Sequence, residues 1–593
     1  MRYNYTKAKN FSEFTTRNGV VDTPLDFKTF AKDIPCQNAC PAKTNVPLYI
    51  EQIFQGNYDA AYRINLEDNV FPGVLGRVCT RPCESACRHN WTNIQGPVQI
   101  CHLKRISADF YQTPIEPLIP WYENTGKSIA IIGGGPAGLA AARELFRFGH
   151  SVTIFEREPR LGGMMIHGIP RFRLPAEIIE AEIDIITRSG ITVQLNSDIT
   201  YETLKTIQSE YDAVLLTTGT SLASQIDLDV QADNCMYGND FMYAFNTNTL
   251  APLSGNVLVI GGGFTAVDCA RSCARAARKL MGEQGTVSIV YRRNQENMAA
   301  NFEELEEIVH EHISIQTLCT PVAIVKDQNK ITGVTFVKNK LEVSASGGKP
   351  SMKPIPGSEF TQECDYVIVA IGQTQDYSIL GLYSSADEAC NAQKKLFSAG
   401  DFRTGGKDVI TAVADAKQTA RQIDEFLMGT KRRSVHIAVQ MYENEHDGKT
   451  GRTRDFDLQW LETMPTAPLS QRAQDPDTEV EKGFELQQHA SVSSRCYLCH
   501  YKFEIDHDKC IHCNWCIEVT PRKCISRVSH VFFDEDGAPV DYIKSNTAAD
   551  GTYIHIDSDE CVRCGKCLRV CPTEAISMVK MTKIECSNSV TKA

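Results

Sequence analysis

The chain has 593 residues, of which 42% are hydrophobic and 23% charged, and its formal net charge is -12. This length exceeds what one hydrophobic core supports and predicts several domains. The negative charge argues against a nucleic-acid-binding surface, and the lack of a run of about 18 apolar residues argues against a membrane-spanning helix. The first 19 residues contain neither an apolar signal core nor a twin arginine, so we expect a cytoplasmic protein.

Cysteine is abundant and unevenly placed. The chain has 23 cysteines, although disulfides are rare in the cytoplasm. Six lie between Cys36 and Cys101, and eleven lie between Cys496 and Cys586. Clustering at both ends of the chain indicates metal ligands, and the spacings favour iron–sulfur clusters.

The N-terminal cysteines form two short groups. Cys36-x3-Cys40-Pro41 is followed, after two amphipathic helical patterns, by Cys79-x3-Cys83-x3-Cys87. Cysteines four residues apart share a helix face, so either group alone is also compatible with helix packing. Five thiols in a short polar domain exceed what a small core uses, which favours cluster ligands in a helical domain.

A dinucleotide fingerprint occupies residues 127–165. An apolar strand leads into a G-x-G-x-x-G turn, then into a helical pattern and a second strand that ends in Glu156. The glycines let the backbone approach a pyrophosphate at the helix N-terminus, and Glu156 is placed to accept hydrogen bonds from a ribose. The predicted contacts of this unit are Gly133, Gly135, Pro136, Ala137, Gly138, Glu156 and Arg157.

Together, these motifs resemble the family of glutamate synthase small subunits. That family also contains the N-terminal half of dihydropyrimidine dehydrogenase and the large subunit of ferredoxin-dependent NADPH transhydrogenases. The resemblance covers residues 30–430 by motif. It implies a helical N-terminal domain with two [4Fe-4S] clusters, an FAD domain and an inserted NADPH domain. FAD is also favoured by the second glycine pair, Gly162-Gly163, that FAD enzymes of this architecture carry.

The chain departs from the family pattern in two places. The family's usual first motif is C-x2-C-x4-C-x3-C-P, and nothing upstream of Cys36 matches its first two cysteines. The family's other cluster often takes a Gln or Glu, and the matching position is Lys104, which cannot ligate as a cation. Cys101 lies one helical turn earlier. We therefore predict one cluster on Cys40, Cys79, Cys83 and Cys101. Cys36 and Cys87 remain ambiguous ligands, so one or two N-terminal clusters are expected.

The resemblance implies further flavin contacts. The segment from His167 to Ile186 resembles the family's loop and helix near the flavin, with His167 interpreted as a satisfied loop residue. In this superfamily, the aspartate of the Gly-Asp pair holds the flavin ribityl chain and precedes a helix that faces the ring system. The predicted contacts are Gly162, Gly163, Met164, Arg171, Thr218, Gly219, Gly372, Gly400, Asp401 and Val409.

A second fingerprint, NVLVIGGGFTA, begins at residue 256 and predicts a second dinucleotide site. Its second strand ends in Arg292-Arg293, where an NAD-specific site usually has an acid. Arginine suits a 2′-phosphate, and the family uses this pair for NADPH, so NADP(H) is favoured over NAD(H). No C-x-x-C lies between the fingerprints, so a thioredoxin-reductase-like disulfide is not supported. The predicted contacts are Gly261, Gly263, Phe264, Thr265, Ala266, Arg292 and Arg293.

The C-terminal cysteines match a bacterial two-cluster ferredoxin, in which the fourth cysteine of each run ligates the other cluster. One run is complete, but the other has Thr520 where its fourth cysteine belongs, and Cys524 is the nearest replacement. Cys496-x2-Cys499 is either a further ligand pair or a structural element. The predicted ligand sets are Cys510, Cys513, Cys516 and Cys571 for one cluster, and Cys524, Cys561, Cys564 and Cys567 for the other.

The predicted fold class is α/β, with two Rossmann-like dinucleotide-binding domains, an N-terminal helical Fe-S domain and a C-terminal α+β ferredoxin-like domain. Residues 1–122 form the helical domain and residues 123–250 the first part of the FAD domain. Residues 251–364 form the inserted NAD(P)H domain and residues 365–430 complete the FAD domain. Residues 431–490 form a linker, and residues 491–593 form the ferredoxin-like domain.

The order of these parts predicts an electron-transfer oxidoreductase subunit. A nicotinamide carries two electrons as hydride, a cluster carries one, and FAD converts between them. We expect electron exchange between NAD(P)H and ferredoxin or other subunits of a larger complex. No catalytic residue is assigned, and a homo-oligomer of the complex is left open.

Three alternatives remain. They are a glutamate synthase small subunit proper, a flavin-based electron-bifurcating transhydrogenase-type subunit, and a non-enzymatic Fe-S scaffold or redox sensor. The added ferredoxin domain argues against the first, and the two intact fingerprints argue against the last.

Overall fold

The computed structural model describes residues 2–4, 33–92, 95–253, 255–281, 285–300, 302–342, 351–441, 459–507, 509–533, 539–545 and 553–587. The chain divides into two compact units. Unit 1 comprises Met1–Pro114, Asp424–Thr463 and Gly483–Ala593, and unit 2 comprises Ile115–Ile423 and Met464–Lys482. The two cysteine-rich ends of the chain therefore belong to the same unit.

The elements of the N-terminal region are β1 (Arg2–Asn4), α1 (Pro35–Ala39), α2 (Val46–Phe54), α3 (Tyr58–Asn69), α4 (Pro72–Val78), α5 (Pro82–Ser85), α6 (Arg88–Thr92) and α7 (Ile100–Phe110). The first dinucleotide region adds β2 (Ser128–Ile132), α8 (Pro136–Arg147), β3 (Ser151–Phe155), α9 (Met164–His167), α10 (Ala176–Thr187), β4 (Thr192–Gln194), α11 (Tyr201–Glu210), β5 (Ala213–Leu216) and β6 (Leu222–Ala223).

The second dinucleotide region contains β7 (Cys235–Tyr237), α12 (Gly238–Asn246), β8 (Val257–Ile260), α13 (Phe264–Met281), β9 (Val287–Tyr291), α14 (Phe302–His310), β10 (Ser314–Thr317), β11 (Cys319–Asp327), β12 (Lys330–Glu342), β13 (Ser351–Pro354), β14 (Phe360–Glu363), β15 (Tyr366–Val369), β16 (Gln373–Thr374), α15 (Ala386–Ala389), β17 (Leu396–Ser398), α16 (Asp401–Thr404) and α17 (Val409–Met428). The last elements are β18 (Arg433–Met441), α18 (Leu469–Gln474), α19 (His489–Ser494), β19 (Tyr501–Ile505), α20 (Trp515–Glu518), β20 (Ile525–Phe533), β21 (Pro539–Lys544), β22 (Tyr553–Ile556), α21 (Lys566–Val570) and β23 (Ile576–Ser587).

Two parallel five-stranded sheets form the framework of unit 2. The first has the strand order β17-β5-β2-β3-β4, and the second has the order β10-β9-β8-β15-β7. The central strands β2, β5 and β8 are apolar and buried, as expected for a parallel sheet covered on both faces. An antiparallel sheet of β11, β12, β13 and β14 completes the unit. The predicted α/β class with two Rossmann-like regions is confirmed.

Helix α13 explains one cysteine pair. Cys269 and Cys273 lie one turn apart and are fully buried in the apolar core beside the second sheet. Their burial among aliphatic and aromatic side chains indicates packing and not ligation.

Unit 1 packs short helices against the C-terminal strands. Helices α4 and α7 approach closely at Gly76, where a Cβ would lie 2.7 Å from the Arg105 Cα. The Tyr49 hydroxyl donates to the Ile100 carbonyl at 2.9 Å, joining α2 to α7. From the C-terminal region, the Lys580 Nζ lies 3.1 Å from a Glu51 carboxylate oxygen. The helical and ferredoxin-like regions are thus bonded to each other.

The segment predicted as a linker contributes regular structure. Strand β18 pairs antiparallel with β23, which also pairs with β19. Helix α18 belongs to unit 2, and residues 442–458 of the predicted linker lie outside the described residues. Within the described part of the chain, no helix combines the length and apolarity needed to cross a membrane.

A buried ionic network fastens α18 to α13 within unit 2. The Glu311 carboxylate lies 2.6 Å from a guanidinium nitrogen of Arg275 and 3.0 Å from one of Arg271 and one of Arg472. Burial favours the neutral acid, but the neighbouring guanidinium groups outweigh it and lower the pKa of Glu311 to about 2. The Glu311 carboxylate is therefore ionised at neutral pH.

Replacing Glu311 tests this network. Glu311→Gln leaves buried guanidinium groups without their carboxylate, and we expect unit 2 to lose about 3–5 kcal/mol of unfolding free energy at pH 7. The folded pKa lies below the reference value of 4.5, so the ionised carboxylate stabilises the fold above that pH. This contribution is lost as the pH falls towards 2, and the difference between wild type and variant should shrink with it.

The measurement is urea unfolding followed by circular dichroism at pH 7 and at pH 3. Glu180→Gln is the control, because Glu180 pairs with Arg160 on an exposed surface and should change stability by less than about 1 kcal/mol. Equal losses in the two variants would contradict a buried network.

Candidate functional site

The first glycine turn lies where β2 gives way to α8. Gly133 has a φ of 106°, and a Cβ there would lie 2.6 Å from the Thr217 carbonyl oxygen. A Cβ on Gly138 would lie 2.0 Å from the Gly133 carbonyl oxygen. A Cβ on Gly135 would have only the Gly163 Cα near it, at 3.8 Å. The turn is therefore closed towards the sheet and open at the helix N-terminus, the arrangement a pyrophosphate requires.

Two distant segments meet this turn. A Cβ on Gly163 would lie 2.9 Å from the Gly135 Cα, so the second glycine pair faces the first turn directly. A Cβ on Gly400 would lie 2.6 Å from the Ala137 Cβ, so the Gly400-Asp401 turn reaches the start of α8. The fold thus brings three of the predicted FAD-binding segments together.

The backbone fixes the Glu156 carboxylate at the end of β3. Its Oε2 accepts a hydrogen bond from the Gly134 amide at 2.6 Å, and its Oε1 accepts one from the Glu158 amide at 2.9 Å. An ionised carboxylate has about four acceptor sites, so capacity remains for ribose hydroxyls. The observed position is compatible with the predicted role.

Asp401 begins α16 in a partly buried site. Burial raises its pKa to about 6, and the nearby charges of Asp408 and Asp415 act in the same direction. Its Oδ1 accepts a hydrogen bond from the Lys407 amide at 3.3 Å.

Thr218 and Gly219 follow β5, where a Cβ on Gly219 would meet no atom within 4 Å. The remaining predicted contacts, Gly372 and Val409, lie after β15 and at the start of α17.

Two of the predicted arginines have protein partners. The Arg171 guanidinium lies 3.1 Å from an Asp477 carboxylate oxygen and donates to the Asn246 carbonyl at 2.7 Å. Arg157 lies 3.4 Å from Glu158 on an exposed surface. Arg171 therefore anchors the α18 segment, a contact that its sequence motif does not indicate.

His167 is not the satisfied loop residue that the sequence-based interpretation expected. Its ring stacks on Tyr243 with centroids 5.0 Å apart, and burial lowers its pKa. Both ring nitrogens are buried, and neither has a hydrogen-bond partner among the described residues. The histidine next to the second glycine pair is thus not satisfied by the protein. The sequence signal that could have indicated this was the position of His167 shortly after the Gly162-Gly163 pair.

The second glycine turn has the same design. A Cβ on Gly261 would lie 2.2 Å from the Ala370 carbonyl oxygen, and one on Gly262 would lie 2.3 Å from the Tyr291 ring. A Cβ on Gly263 would meet nothing within 4 Å, so the turn is open where α13 begins with Phe264. Thr265 and Ala266 continue the helix.

Arg292 and Arg293 directly follow β9. Asn339 donates to the Arg292 carbonyl at 3.0 Å, and the Leu318 amide donates to the Arg293 carbonyl at 3.0 Å, which fixes the loop. Arg292 is exposed and Arg293 half-buried. Within the described residues, neither guanidinium forms an ion pair with a carboxylate, and the Arg293 Nε has no hydrogen-bond partner. Both cations are available to an anionic ligand.

In unit 1, the C-terminal cysteines group as the sequence predicts. A cavity of about 310 Å³ is lined by Cys524, Cys561, Cys564 and Cys567. The Cys524 thiol hydrogen-bonds to Cys561. Burial raises the pKa of Cys516 to about 11, and the nearby charges of Cys510, Cys513 and Cys571 act in the same direction. These groupings suit two clusters, since iron requires converging thiolates.

The N-terminal cysteines separate into two groups. Cys40, Cys79, Cys83 and Cys101 surround the buried Lys104 ammonium. Burial disfavours that charge, but the four thiol groups raise the pKa of Lys104 above its usual value. A cation at this position cannot ligate iron, and its charge is compatible with a counter-charge to these cysteines. Cys36 and Cys87 instead line a different cavity, which they share with Cys496 and Cys499.

The fold and these sites agree with comparisons to known families. Residues 127–440 match the pyridine nucleotide-disulphide oxidoreductase family. Residues 29–114 match dihydropyrimidine dehydrogenase domain II with a 4Fe-4S cluster, and residues 509–575 match a 4Fe-4S dicluster domain.

Several curated proteins are similar over most of the chain. One is the beta subunit of NADP(+)-dependent formate dehydrogenase from Moorella thermoacetica, 34% identical over 80% of this chain and 72% of that protein. Another is the beta subunit of NADPH-Fe(3+) oxidoreductase from Geobacter sulfurreducens, 30% identical over 79% of this chain and 75% of that protein. The PreT subunit of NAD-dependent dihydropyrimidine dehydrogenase from Escherichia coli O157:H7 is 33% identical over 67% of this chain and 92% of that protein.

The close approach of Gly163 to Gly135 can be tested directly. In Gly163→Ala, the new Cβ pushes the two glycine turns apart at a position with a φ of 52°. We expect FAD to bind at least about tenfold more weakly, from roughly 1–3 kcal/mol of strain. The measurement is the amount of FAD per purified chain and its dissociation constant.

Gly357→Ala is the matched control. Its φ is 76°, but a Cβ there would meet no atom within 4 Å. It should keep the wild-type FAD content. Unchanged FAD binding in Gly163→Ala would show that the second glycine pair is not part of the flavin site.

Proposed function

Since the chain belongs to the pyridine nucleotide-disulphide oxidoreductase family, we propose that it exchanges electrons between NADPH and ferredoxin or the other subunits of a larger redox complex. It is an NAD(P)H-dependent oxidoreductase with FAD and [4Fe-4S] clusters as cofactors. The non-enzymatic Fe-S scaffold or redox sensor that the sequence left open is therefore replaced by an enzyme.

The observation that carries this proposal is the pairing of two kinds of site. Unit 2 contains two glycine turns that are open at a helix N-terminus, and unit 1 contains converging groups of buried cysteines. When bound, FAD accepts electrons in pairs and releases them singly, which joins nicotinamide chemistry to cluster chemistry. In this proposal, Glu156 orients the flavin nucleotide, Asp401 holds the ribityl chain, and the cysteines ligate iron.

We assign the second glycine turn to NADPH and not to NADH. Arg292 and Arg293 follow the strand whose end meets the adenosine ribose in such folds, and their guanidinium groups carry no carboxylate partner among the described residues. A 2′-phosphate supplies the missing anion, and a planar guanidinium binds phosphate oxygens in pairs.

The cofactor preference is tested with the double variant Arg292→Ala, Arg293→Ala. Loss of the guanidinium contacts should cost about 1.5–3 kcal/mol, so the apparent binding constant for NADPH should weaken about tenfold to a hundredfold. NADH lacks the phosphate and serves as the internal control, with little expected change. High salt should weaken NADPH binding to the wild type by screening an exposed site.

The measurement is the steady-state reduction of a dye by each nucleotide. Equal weakening of NADPH and NADH, or a wild-type preference for NADH, would contradict the assignment.

The partner site is proposed near the Cys510 set. Cys510, Cys513 and Cys571 are only partly buried, unlike the N-terminal cysteines. Ile511 and Trp515 in the same segment are 62% and 53% exposed. A cluster near the surface with apolar neighbours suits electron exchange with a docking protein. The named relatives from Moorella and Geobacter are beta subunits, which supports a partner subunit for this chain.

The cytoplasmic location and a homo-oligomer of the complex remain predictions. We favour this assignment over a glutamate synthase small subunit proper, because the chain adds a dicluster domain at residues 509–575. A bifurcating reaction would require a second, high-potential acceptor before NADPH reduces ferredoxin, so ferredoxin reduction by NADPH alone would argue against it.

The proposed route is tested by interrupting it at Cys524. We expect Cys524→Ser to convert or destabilise the cluster of the Cys561 set, because its thiol faces Cys561 in the shared cavity. Ferredoxin reduction should fall at least about tenfold, while NADPH still bleaches the flavin absorbance. The measurements are electron paramagnetic resonance under anaerobic conditions and the two reduction rates.

Cys390→Ser is the control, since Cys390 is a half-buried thiol in unit 2 outside every predicted ligand set. An unaltered spectrum in Cys524→Ser would remove Cys524 from the ligands. Loss of flavin bleaching by NADPH in the wild type would contradict the proposed function itself.

A further inference from the structure

We propose that Cys36, Cys87, Cys496 and Cys499 together ligate one more [4Fe-4S] cluster, built from both ends of the chain. This composite cluster would link the N-terminal cluster site to the ferredoxin-like region. The C-terminal pair lies outside the matched ranges 29–114 and 509–575. The four thiols meet only because both regions fold into unit 1.

The four cysteines line one cavity. Its volume is about 350 Å³, and each of the four side chains is 8% exposed. The other lining residues are mostly apolar and include Val46, Ile50, Val98 and Ile100. Four thiols that face one shared space in mostly apolar surroundings form a donor set suited to a metal cluster.

The cavity lining is rich in metal-binding side chains. It includes the four cysteines and the imidazole of His89. Soft thiolate ligands favour iron–sulfur clusters or zinc.

The neighbouring sites favour a cluster over a single zinc ion. The ferredoxin-like cysteines of the same unit match a 4Fe-4S dicluster domain. The composite site has the same kind of donor set, four cysteines, which is the set that holds a [4Fe-4S] cluster.

The Cys496-x2-Cys499 turn has the backbone of a cluster-binding loop. Leu498 has a φ of 49°, and the equivalent residues of the two ferredoxin-like turns, His512 and Arg563, have φ values of 56° and 57°. The Leu498 amide donates to the Cys496 Sγ at 3.4 Å. Backbone amides of His512 and Arg563 likewise donate to Cys510 and Cys561. In three C-x-x-C turns of unit 1, the third residue therefore has a left-handed φ and its amide donates to the first cysteine.

The N-terminal region alone cannot complete this site. Once Cys40, Cys79, Cys83 and Cys101 are assigned to the Lys104 site, only Cys36 and Cys87 remain there. Two thiolates fall short of the four that hold a cubane cluster. Cys496 and Cys499 supply the missing two from the other end of the chain.

Buried arginines connect the composite site to its neighbour. The Arg88 guanidinium, 1% exposed, donates to the Cys499 Sγ at 3.7 Å and to the Cys561 carbonyl at 3.2 Å. Arg563 pairs with Asp33 at 3.1 Å and interacts with Cys499 and Cys561. These cations balance thiolate charge and lie between two cluster sites, which positions the composite cluster as a relay.

Adjacent sites are also linked through the backbone. The Cys40 amide donates to the Cys36 carbonyl at 3.2 Å, so the Lys104 site and the composite site share the turn of α1. At the other end, α20 and α21, which carry Cys516 and Cys567, pack against each other. This places the four sites in one series within unit 1, from the Cys40 set through the composite site to the Cys561 set and the Cys510 set.

The first test counts iron in the full-length wild type. The protein is purified anaerobically and reconstituted with iron and sulfide, and iron and acid-labile sulfide are measured per chain. Four clusters give about 16 iron atoms per chain, whereas three give about 12. A count of about 12, or stoichiometric zinc in place of iron, would overturn the proposal without any variant.

The second test uses two pairs of substitutions. Cys496→Ala with Cys499→Ala should lose about four iron atoms, and Cys36→Ala with Cys87→Ala should lose the same number and the same paramagnetic signal. The quadruple variant should lose no more than either pair. Full retention of iron in the first pair, or loss of different signals by the two pairs, would overturn the proposal.

Cys269→Ala with Cys273→Ala is the control, because these two thiols are also fully buried but pack in an apolar core. It should keep about 16 iron atoms. The inference rests on the proposed cluster cofactors and not on the electron route. Flavin bleaching by NADPH in the same samples tests that route separately. A failure of the composite cluster and a failure of the electron route can therefore be told apart.

Discussion

Ligation of iron by converging thiolates is the interaction on which unit 1 depends. Burial raises the pKa of several of its cysteines, including that of Cys101, which rises to about 12. Bound iron would supply the positive charge that stabilises these cysteines as thiolates. We therefore expect folding and cofactor binding to be coupled in this unit.

Local charge at these sites opposes the charge of the whole protein. The chain carries a net charge of -12, yet Lys104, Arg88 and Arg563 are buried beside cysteine groups. Each cation sits where thiolates accumulate negative charge. Net charge and hydrogen bonds to sulfur influence the potentials of clusters, so we expect these three cations to raise the potentials of the clusters beside them.

Unit 2 is suited to its cofactors mainly by its backbone geometry, whereas unit 1 is suited to its cofactors by thiolate ligands. Its glycine turns remove side chains at the points where a dinucleotide must approach, and its arginines present charge after β9. Such devices follow from neighbouring residues in the sequence. For that reason the α/β class, both dinucleotide sites and the two cluster-bearing ends were predicted from motifs, and the fold and the comparisons agree with them.

Sequence alone determined what short spacings encode: glycine turns, ferredoxin-like cysteine runs, and the residues that follow each strand. Only the tertiary structure decided which distant groups meet. It paired Arg171 with Asp477, left both ring nitrogens of His167 without a partner among the described residues, and placed β18 beside β23. It also brought Arg88 to Cys499 across 411 residues of chain. A spacing rule holds only where the backbone between two residues is short and regular, and the composite cavity depends on packing between segments that no local pattern connects.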